Sequence, residues 1–140
     1  MTDCSRVFLD TAPLIYFLDA ASVYHQKTKE TFTTLLENRH NFILSTITCM
    51  EYLVLPYRVS DTNAIQHFWE FVFACNMQII SINNDIAVAA AQIRAKYPSF
   101  KAMDALQLAI AQNYDCQIFL TNDKQLKQFD VLDYLVISEL

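Results

Sequence analysis

The sequence predicts an α/β fold, a parallel sheet of five strands flanked by helices on both faces. Three observations predict it. Short runs rich in branched and aromatic residues alternate along the chain with longer stretches of helical period. Those runs are continuously apolar, as strands buried on both faces are, and do not alternate in and out. The length, 140 residues, is that of one domain, able to bury roughly 70% of the surface its unfolded chain would expose.

Arg6 to Leu9 suits a buried strand and delivers a carboxylate, Asp10, at its carboxyl end. Thr11 is expected to cap the next helix, Pro13 fits its first turn, and Leu14, Ile15, Phe17 and Leu18 supply its apolar surface. Ser22 to Glu37 is an amphipathic helix stopped near Asn38. Phe42 to Thr48 is the second strand, running into a helix that carries Glu51 in about its first turn and ends at Pro56. Ser60 or Asp61 caps a helix through about Cys75, and Met77 to Ile82 is the third strand. Asn83 or Asn84 opens a helix that Pro98 ends. The segment KAMDALQLAIAQN is apolar on nearly every side from Met103 to Ala111, so its helix is expected to be buried; one residue breaks the pattern, Asp104. Cys116 to Leu120 is the fourth strand, followed by a short helix to about Gln128, and Tyr134 to Ser138 is the fifth.

Composition narrows the function. The net charge of −5 argues against a broad counterion-releasing nucleic-acid surface, yet with four of the fifteen acids set aside in one site the rest nearly balance the ten Lys and Arg. Zero glycine rules out both a P-loop and a G-x-G-x-x-G dinucleotide turn. It also assigns left-handed backbone positions to Asn38, Asn41, Asn83, Asn84, Asn113 and Asp115. Cys4, Cys49, Cys75 and Cys116 form no C-x-x-C pair and read as free thiols in a reducing compartment. No apolar run approaches the roughly 18 residues of a membrane span, and the amino-terminal residues lack a signal-peptide core. The expectation is a cytoplasmic protein.

In a parallel sheet every strand points its carboxyl end at one edge, where ligands bind. Asp10 and Asp123 fall on that edge, Glu51 reaches it from the helix after the second strand, and Asp104 sits at the amino end of the buried helix, where the helix dipole favours a negative charge. Singly, each is explained as an ordinary cap or solvated helix acid. Jointly, four acids from four separate segments converge on one crevice. Asp19, Asp61, Asp85, Asp115, Asp130 and Asp133 are the internal control, all in expected caps, turns or loops. Two carboxylates about 4 Å apart repel by roughly 4 kcal/mol at an effective dielectric of 20, so four ionised together demand a cation or protons. An oxygen-only donor set selects Mg²⁺ or Mn²⁺, and His25, His40 and His67 are dispersed away from it.

The segments FLDTAPLIYFL, TITCMEYL, AMDALQLAIA and FLTNDKQL resemble the four acidic motifs of PIN domains, in order and spanning positions 8 to 126. The pattern is most similar to single-domain VapC-type ribonuclease toxins. The resemblance implies one PIN-like domain over 1–140, with a five-stranded parallel sheet and a divalent-metal site that cleaves RNA. It also implies a dimer held inactive by a cognate antitoxin. By residue-by-residue match, Asp10, Glu51, Asp104 and Asp123 are the catalytic acids. Asp10, Asp104 and Asp123 are the metal ligands, Asp123 and Glu51 acting through waters or on the attacking one, and Thr121 is a supporting hydroxyl. Many relatives carry Ser or Asn where this chain has Ala12, which removes a polar neighbour of the acids.

Water attack assisted by such an ion leaves a 5′-phosphate and a 3′-hydroxyl. Lys101, Lys124 and Lys127 are candidate phosphate holders at the rim, with a solvated helix face as the alternative. On the helix AIQHFWEFVFAC, Ile65, Phe68, Trp69 and Val72 share one face while Phe71 and Phe73 point elsewhere, as in a protein contact or as extra core. Two rival readings remain. An aspartyl-phosphate receiver or phosphatase lacks its further acids, since D-T-A stands at Asp10 where D-x-D is needed. A non-catalytic PIN-fold module that binds RNA or protein explains the fold but not the retention of four acids.

Overall fold

The computed structural model describes residues 5–140. Its strands are β1 (Arg6–Leu9), β2 (Asn41–Ser45), β3 (Gln78–Ile80), β4 (Ile118–Thr121) and β5 (Asp133–Val136). They form one sheet in the order β3-β2-β1-β4-β5, and every neighbouring pair is parallel. The helices are α1 (Thr11–Leu18), α2 (His25–Glu37), α3 (Thr46–Arg58), α4 (Thr62–Ala74), α5 (Asn84–Lys96) and α6 (Ala102–Asn113), with 3₁₀ helices at Lys124–Gln128 and Ile137–Glu139. The strand order steps outward from β1 to β3 and then restarts on the other side of β1 with β4. The connections therefore diverge between β1 and β4, and a crevice opens at their carboxyl ends.

Alternation along β1 divides the core. Phe8 faces α5 and α6 and stacks on Phe119 of β4, ring centroids 5.0 Å apart, whereas Val7 and Leu9 face the side that Leu14, Phe32 and Phe68 of α1, α2 and α4 cover. Both layers are apolar and both hold β1 at the centre, so the acid that follows it cannot drift. Truncating a ring as buried as Phe8 costs about 3–5 kcal/mol by the usual cavity arithmetic.

Several boundaries differ from the sequence expectation. Asp10, not Thr11, is the N-cap of α1, its carboxylate accepting from the Thr11 N–H. The second strand stops at Ser45 because the Ser45 hydroxyl accepts from the Thr48 N–H and starts α3 there, so Thr46 to Thr48 are helical and Glu51 lies in the second turn. Pro56 does not end α3, which continues to Arg58; near a carboxyl end the missing N–H forfeits only one bond. The α2 helix begins at His25 rather than Ser22, whose hydroxyl instead accepts from the Tyr24 N–H in a turn that leaves Val23 exposed. β3, β4 and β5 are shorter than or shifted from their apolar runs by one or more residues, and Asp133 opens β5 rather than sitting in a loop. Phe71 is half-buried against the core, its ring 4.8 Å from that of Phe17, while Phe73 is exposed.

The left-handed positions are also redistributed. Positive φ occurs at Arg39, Ser60, Asn76 and Asp115, of which only Asp115 was expected. Each lies two residues past a helix end and closes the same motif. The N–H of the left-handed residue reaches back to Leu36, Tyr57, Phe73 or Gln112, and the next N–H reaches Leu35, Pro56, Val72 or Ala111. Glycine normally takes that place, and a side chain there costs about 1–2 kcal/mol. Two satisfied helix carbonyls per motif offset it.

Candidate active site

β1 carries Asp10 to the crevice, where three donors hold it. Thr121 Oγ1 donates to Asp10 Oδ2 at 2.8 Å, and Oδ1 accepts from the Thr11 N–H at 2.9 Å and from Gln107 Nε2 at 3.4 Å. Thr121 is fully buried at the end of β4 and also accepts from the Asp123 N–H at 3.1 Å, so one hydroxyl joins two of the acids. Burial pushes the Asp10 carboxyl above the ordinary aspartate value; the bonds from Thr121, Thr11 and Gln107 oppose that shift, and the charge of Glu51 adds to it.

Glu51 is exposed on α3, and its carboxylate accepts from Thr11 Oγ1 at 2.8 Å. Thr11 in turn lies 3.1 Å from Thr48 Oγ1, and Thr48 accepts from Gln107 Nε2 at 2.9 Å. The amide oxygen of Gln107 accepts from the Ser45 hydroxyl. Sequence reasoning missed Gln107 altogether. Its signal was available: a glutamine three residues after Asp104, hence on the same helix face, inside a run otherwise apolar from Ala105 to Ala111.

Asp104 lies in the first turn of α6, half-buried, and shares a cleft of about 290 Å³ with Lys101, Ser99, Asp123 and Gln125. Its carboxyl is pushed up to about 6, first by burial, then by the charges of Asp10 and Asp123, with Lys101 opposing and Glu51 adding a smaller push. Asp104 thus feels the charges of three acids from separate segments across one crevice. Asp123 is itself exposed and caps the 3₁₀ helix by accepting from the Gln125 N–H at 3.0 Å.

Among the described residues no group of three or more His, Cys, Asp or Glu is placed to hold a metal ion. Mg²⁺ needs no such cage, because it keeps several waters and takes one or two carboxylates together with phosphate oxygens. In donor type and in charge the four acids fit a hard divalent cation: all are oxygen donors, and the charges of Asp10, Asp123 and Glu51 add to the burial that raises Asp104.

Of the candidate rim lysines, Lys101 precedes α6 beside Asp104, Lys124 is exposed on the 3₁₀ helix, and Lys127 engages Glu139 at 2.6 Å. Asn122 ties the same loop down, its amide donating to the Tyr16 hydroxyl and its oxygen accepting from the Ser138 N–H. His25 is committed to the Tyr16 carbonyl at 3.0 Å. Cys49, Cys75 and Cys116 are free thiols, and burial pushes Cys116 up to about 12; Cys4 lies outside the described residues. Ala12 brings no polar atom, and the support of the acids comes from Thr11, Thr48, Gln107 and Thr121.

Residues 7–132 match the PIN domain family. No curated protein sequence matches the chain. Among solved structures, the chain is similar to a toxin–antitoxin complex from Klebsiella pneumoniae at 23% identity, TM-score 0.69, over 94% of this chain and 97% of that one. It is similar to VapC20 of Mycobacterium tuberculosis, described as a Sarcin-Ricin loop cleaving toxin, at 15% identity, TM-score 0.71, over 88% and 94%. FitAcB from Neisseria gonorrhoeae is similar at 20% identity, TM-score 0.73, over 96% and 99%. At such identities the likeness speaks for the fold.

Proposed function

We propose, from the premise that this chain belongs to the PIN domain family, that it is a Mg²⁺- or Mn²⁺-dependent endoribonuclease that hydrolyses RNA phosphodiester bonds in the cytoplasm. In this reading it is the toxin of a toxin–antitoxin pair. The observation that carries the reading is the gathering of acids at the crevice: Asp104 and Asp123 line one cleft, Thr121 joins Asp123 to Asp10, and Thr11 ties Glu51 to the same edge. A group of acids so poised is a functional-site arrangement, because a stable fold gains nothing from crowding like charges.

Asp10 and Asp104 would hold the ion directly and Asp123 through a water, in keeping with a cation that takes one or two carboxylates. When bound, it supplies an acidified water and positive charge against the charge that builds on the phosphate. The protein's own part is placement. Thr121 holds Asp10 by Oδ2 and the Asp123 backbone by its N–H, so the loop after β4 keeps its register with β1. Glu51, held by Thr11 on the solvent side, is the group that orients the attacking water and accepts its proton. Lys101 and the amino end of α6 offer positive charge to the phosphates on either side of the cut. Lys124 adds to the rim, and Lys127 does so only by leaving Glu139.

Partners follow from the surface. Met50, Val54 and Tyr57 form an exposed stripe on α3, Leu55 lies beside it, and Trp69 and Phe73 are exposed on α4. Such a patch on a small domain is a protein-binding surface, here for a second copy and for an inhibitory antitoxin. The similar Klebsiella structure is a toxin–antitoxin complex, which supports the second assignment.

The test is cleavage of cellular RNA with end mapping, paired with Mn²⁺ thermal titration of the parent and Asp10→Asn. Expected are 5′-phosphate and 3′-hydroxyl ends, loss of cleavage in EDTA, and a Mn²⁺-dependent rise in melting temperature in the parent alone. A 2′,3′-cyclic phosphate, or full activity in EDTA, rejects the mechanism.

A further inference from the structure

Gln107 is 2% exposed, one helical turn beyond Asp104 on α6, between the buried Ala105 and Leu108. An amide at that depth is costly unless its polar atoms are matched, and here they are. The oxygen takes the Ser45 proton, one N–H points to Thr48 Oγ1 at 2.9 Å and the other to Asp10 Oδ1 at 3.4 Å. The amide cannot be turned over, because its oxygen would then face the Asp10 carboxylate.

The direction of the remaining protons follows. The single proton of Thr11 goes to the Glu51 carboxylate at 2.8 Å, so at the 3.1 Å contact between the two threonines it is Thr48 that donates. Protons therefore run one way: from Ser45 to Gln107, from Gln107 to Thr48, from Thr48 to Thr11, from Thr11 to Glu51, with a branch from Gln107 to Asp10. A chain polarised in one sense strengthens each bond in it.

We infer that Gln107 is the positioning residue of this acid site: one buried amide sets Asp10 directly and Glu51 through Thr48 and Thr11, aligning the two carboxylates as a pair. Its effect on turnover rests on the nuclease reading; its effect on geometry does not. The arrangement also decides which atom of Asp10 is free. Oδ1 accepts two hydrogen bonds and Oδ2 one, so the unshared lone pair that can meet a cation is on Oδ2.

The test uses the full chain at fixed pH 7.5, carrying ¹³C at the Asp and Glu carboxyls, with Gln107→Met, Thr48→Val and Thr48→Ser. Circular dichroism first establishes that each variant is folded. Gln107→Met is expected to shift the carboxyl resonances of both Asp10 and Glu51. Thr48→Val is expected to shift that of Glu51 much more than that of Asp10, and Thr48→Ser to restore the parent spectrum. Mn²⁺ affinity, read by calorimetry, falls about 10–100-fold in Gln107→Met, and kcat on RNA falls by a similar factor with KM little changed. The Gln107→Met/Thr48→Val double variant is no worse than Gln107→Met. A folded Gln107→Met with an unmoved Glu51 resonance overturns the inference, as does parent-like Mn²⁺ affinity. If Gln107→Met does not fold, Thr48→Val decides alone, an unmoved Glu51 being the overturning result. Should the parent neither bind Mn²⁺ nor cleave RNA, the nuclease reading falls, and the two carboxyl resonances still decide the positioning role.

Discussion

The two edges of the sheet both collect acids, and only one of them lies over buried polar side chains. At the amino edge Asp115, Asp130 and Asp133 surround a hollow of about 480 Å³, larger than the roughly 290 Å³ cleft between Asp104 and Asp123 at the carboxyl edge. All three amino-edge acids are exposed, and the residues beneath them, Cys116 and Leu132, are apolar. Beneath the carboxyl edge lie Ser45, Thr48, Gln107 and Thr121, each at most 2% exposed and each tied to an acid or to a neighbour that is. Neither the number of carboxylates nor the size of the hollow distinguishes the edges. Buried hydroxyls and an amide do, because such groups fix the direction of the acid above them.

The sharpest way to break that contrast is to remove charge from each edge in turn. Asp10→Asn is expected to lower kcat/KM on RNA by about a thousandfold or more. Asp115→Asn, Asp130→Asn and Asp133→Asn combined should leave it within about twofold of the parent, as ordinary surface changes do. Initial rates on end-labelled RNA measure both, and equal losses would erase the distinction between the edges.

Next in size is Thr121→Val, which takes away the proton held by Asp10 Oδ2 and the acceptor of the Asp123 N–H. Unfolding in urea should show a loss of about 1–3 kcal/mol, and single-turnover cleavage a drop of about 10–100-fold. A variant that loses stability but cleaves at the parent rate would make Thr121 a purely structural group.

A smaller effect sharpens the electrostatic side. The Asp104 carboxyl stands at about 6, above its ordinary 3.8, so the folded state binds the extra proton. Its ionisation therefore weakens the fold progressively as pH rises from about 4 to about 6 and remains a constant penalty above that. In EDTA, Asp104→Asn should melt higher than the parent at pH 7.5, by about 3 °C if the half-exposed group is worth about 1 kcal/mol after solvent screening. The difference should vanish near pH 4. Saturating Mn²⁺ should reverse its sign, since only the parent then gains from the ion. A pH-independent difference in calorimetric scans would contradict the crowding of charges at this edge.

The smallest expected change belongs to the amino edge. Asp115 occupies a left-handed position at φ 54°, and Asp115→Gly removes that strain while giving the unfolded chain more freedom. The two effects nearly cancel, leaving a net change of about 1 kcal/mol or less with cleavage unaltered.

The strands were legible because buried parallel strands leave continuous apolar runs, and the acids because a parallel sheet brings the ends of such runs to one edge. Boundaries were less so wherever one side chain outvoted a pattern. Thr46 to Thr48 carry the branched residues of a strand, yet the Ser45 hydroxyl captures the Thr48 N–H and begins a helix. The left-handed turns fell to Arg39 and Ser60 because a helix must close where its apolar face ends, whichever residue stands there. Gln107 escaped notice because a polar residue in an apolar run reads as an interruption until its partners, Ser45 at the end of β2 and Thr48 in the first turn of α3, are seen to lie beside it.

The position of β1 between β2 and β4 bears on synthesis. Of the groups that hold Asp10, Thr11 follows it at once, but Gln107 and Thr121 come 97 and 111 residues later in the chain. At about 5–20 residues per second, several seconds or more separate the acid from those two. Until they are made, the acid stands in a half-built sheet with only the Thr11 N–H to aim it. Those two holders reach the acid only when β4 docks against β1 and α6 is in place.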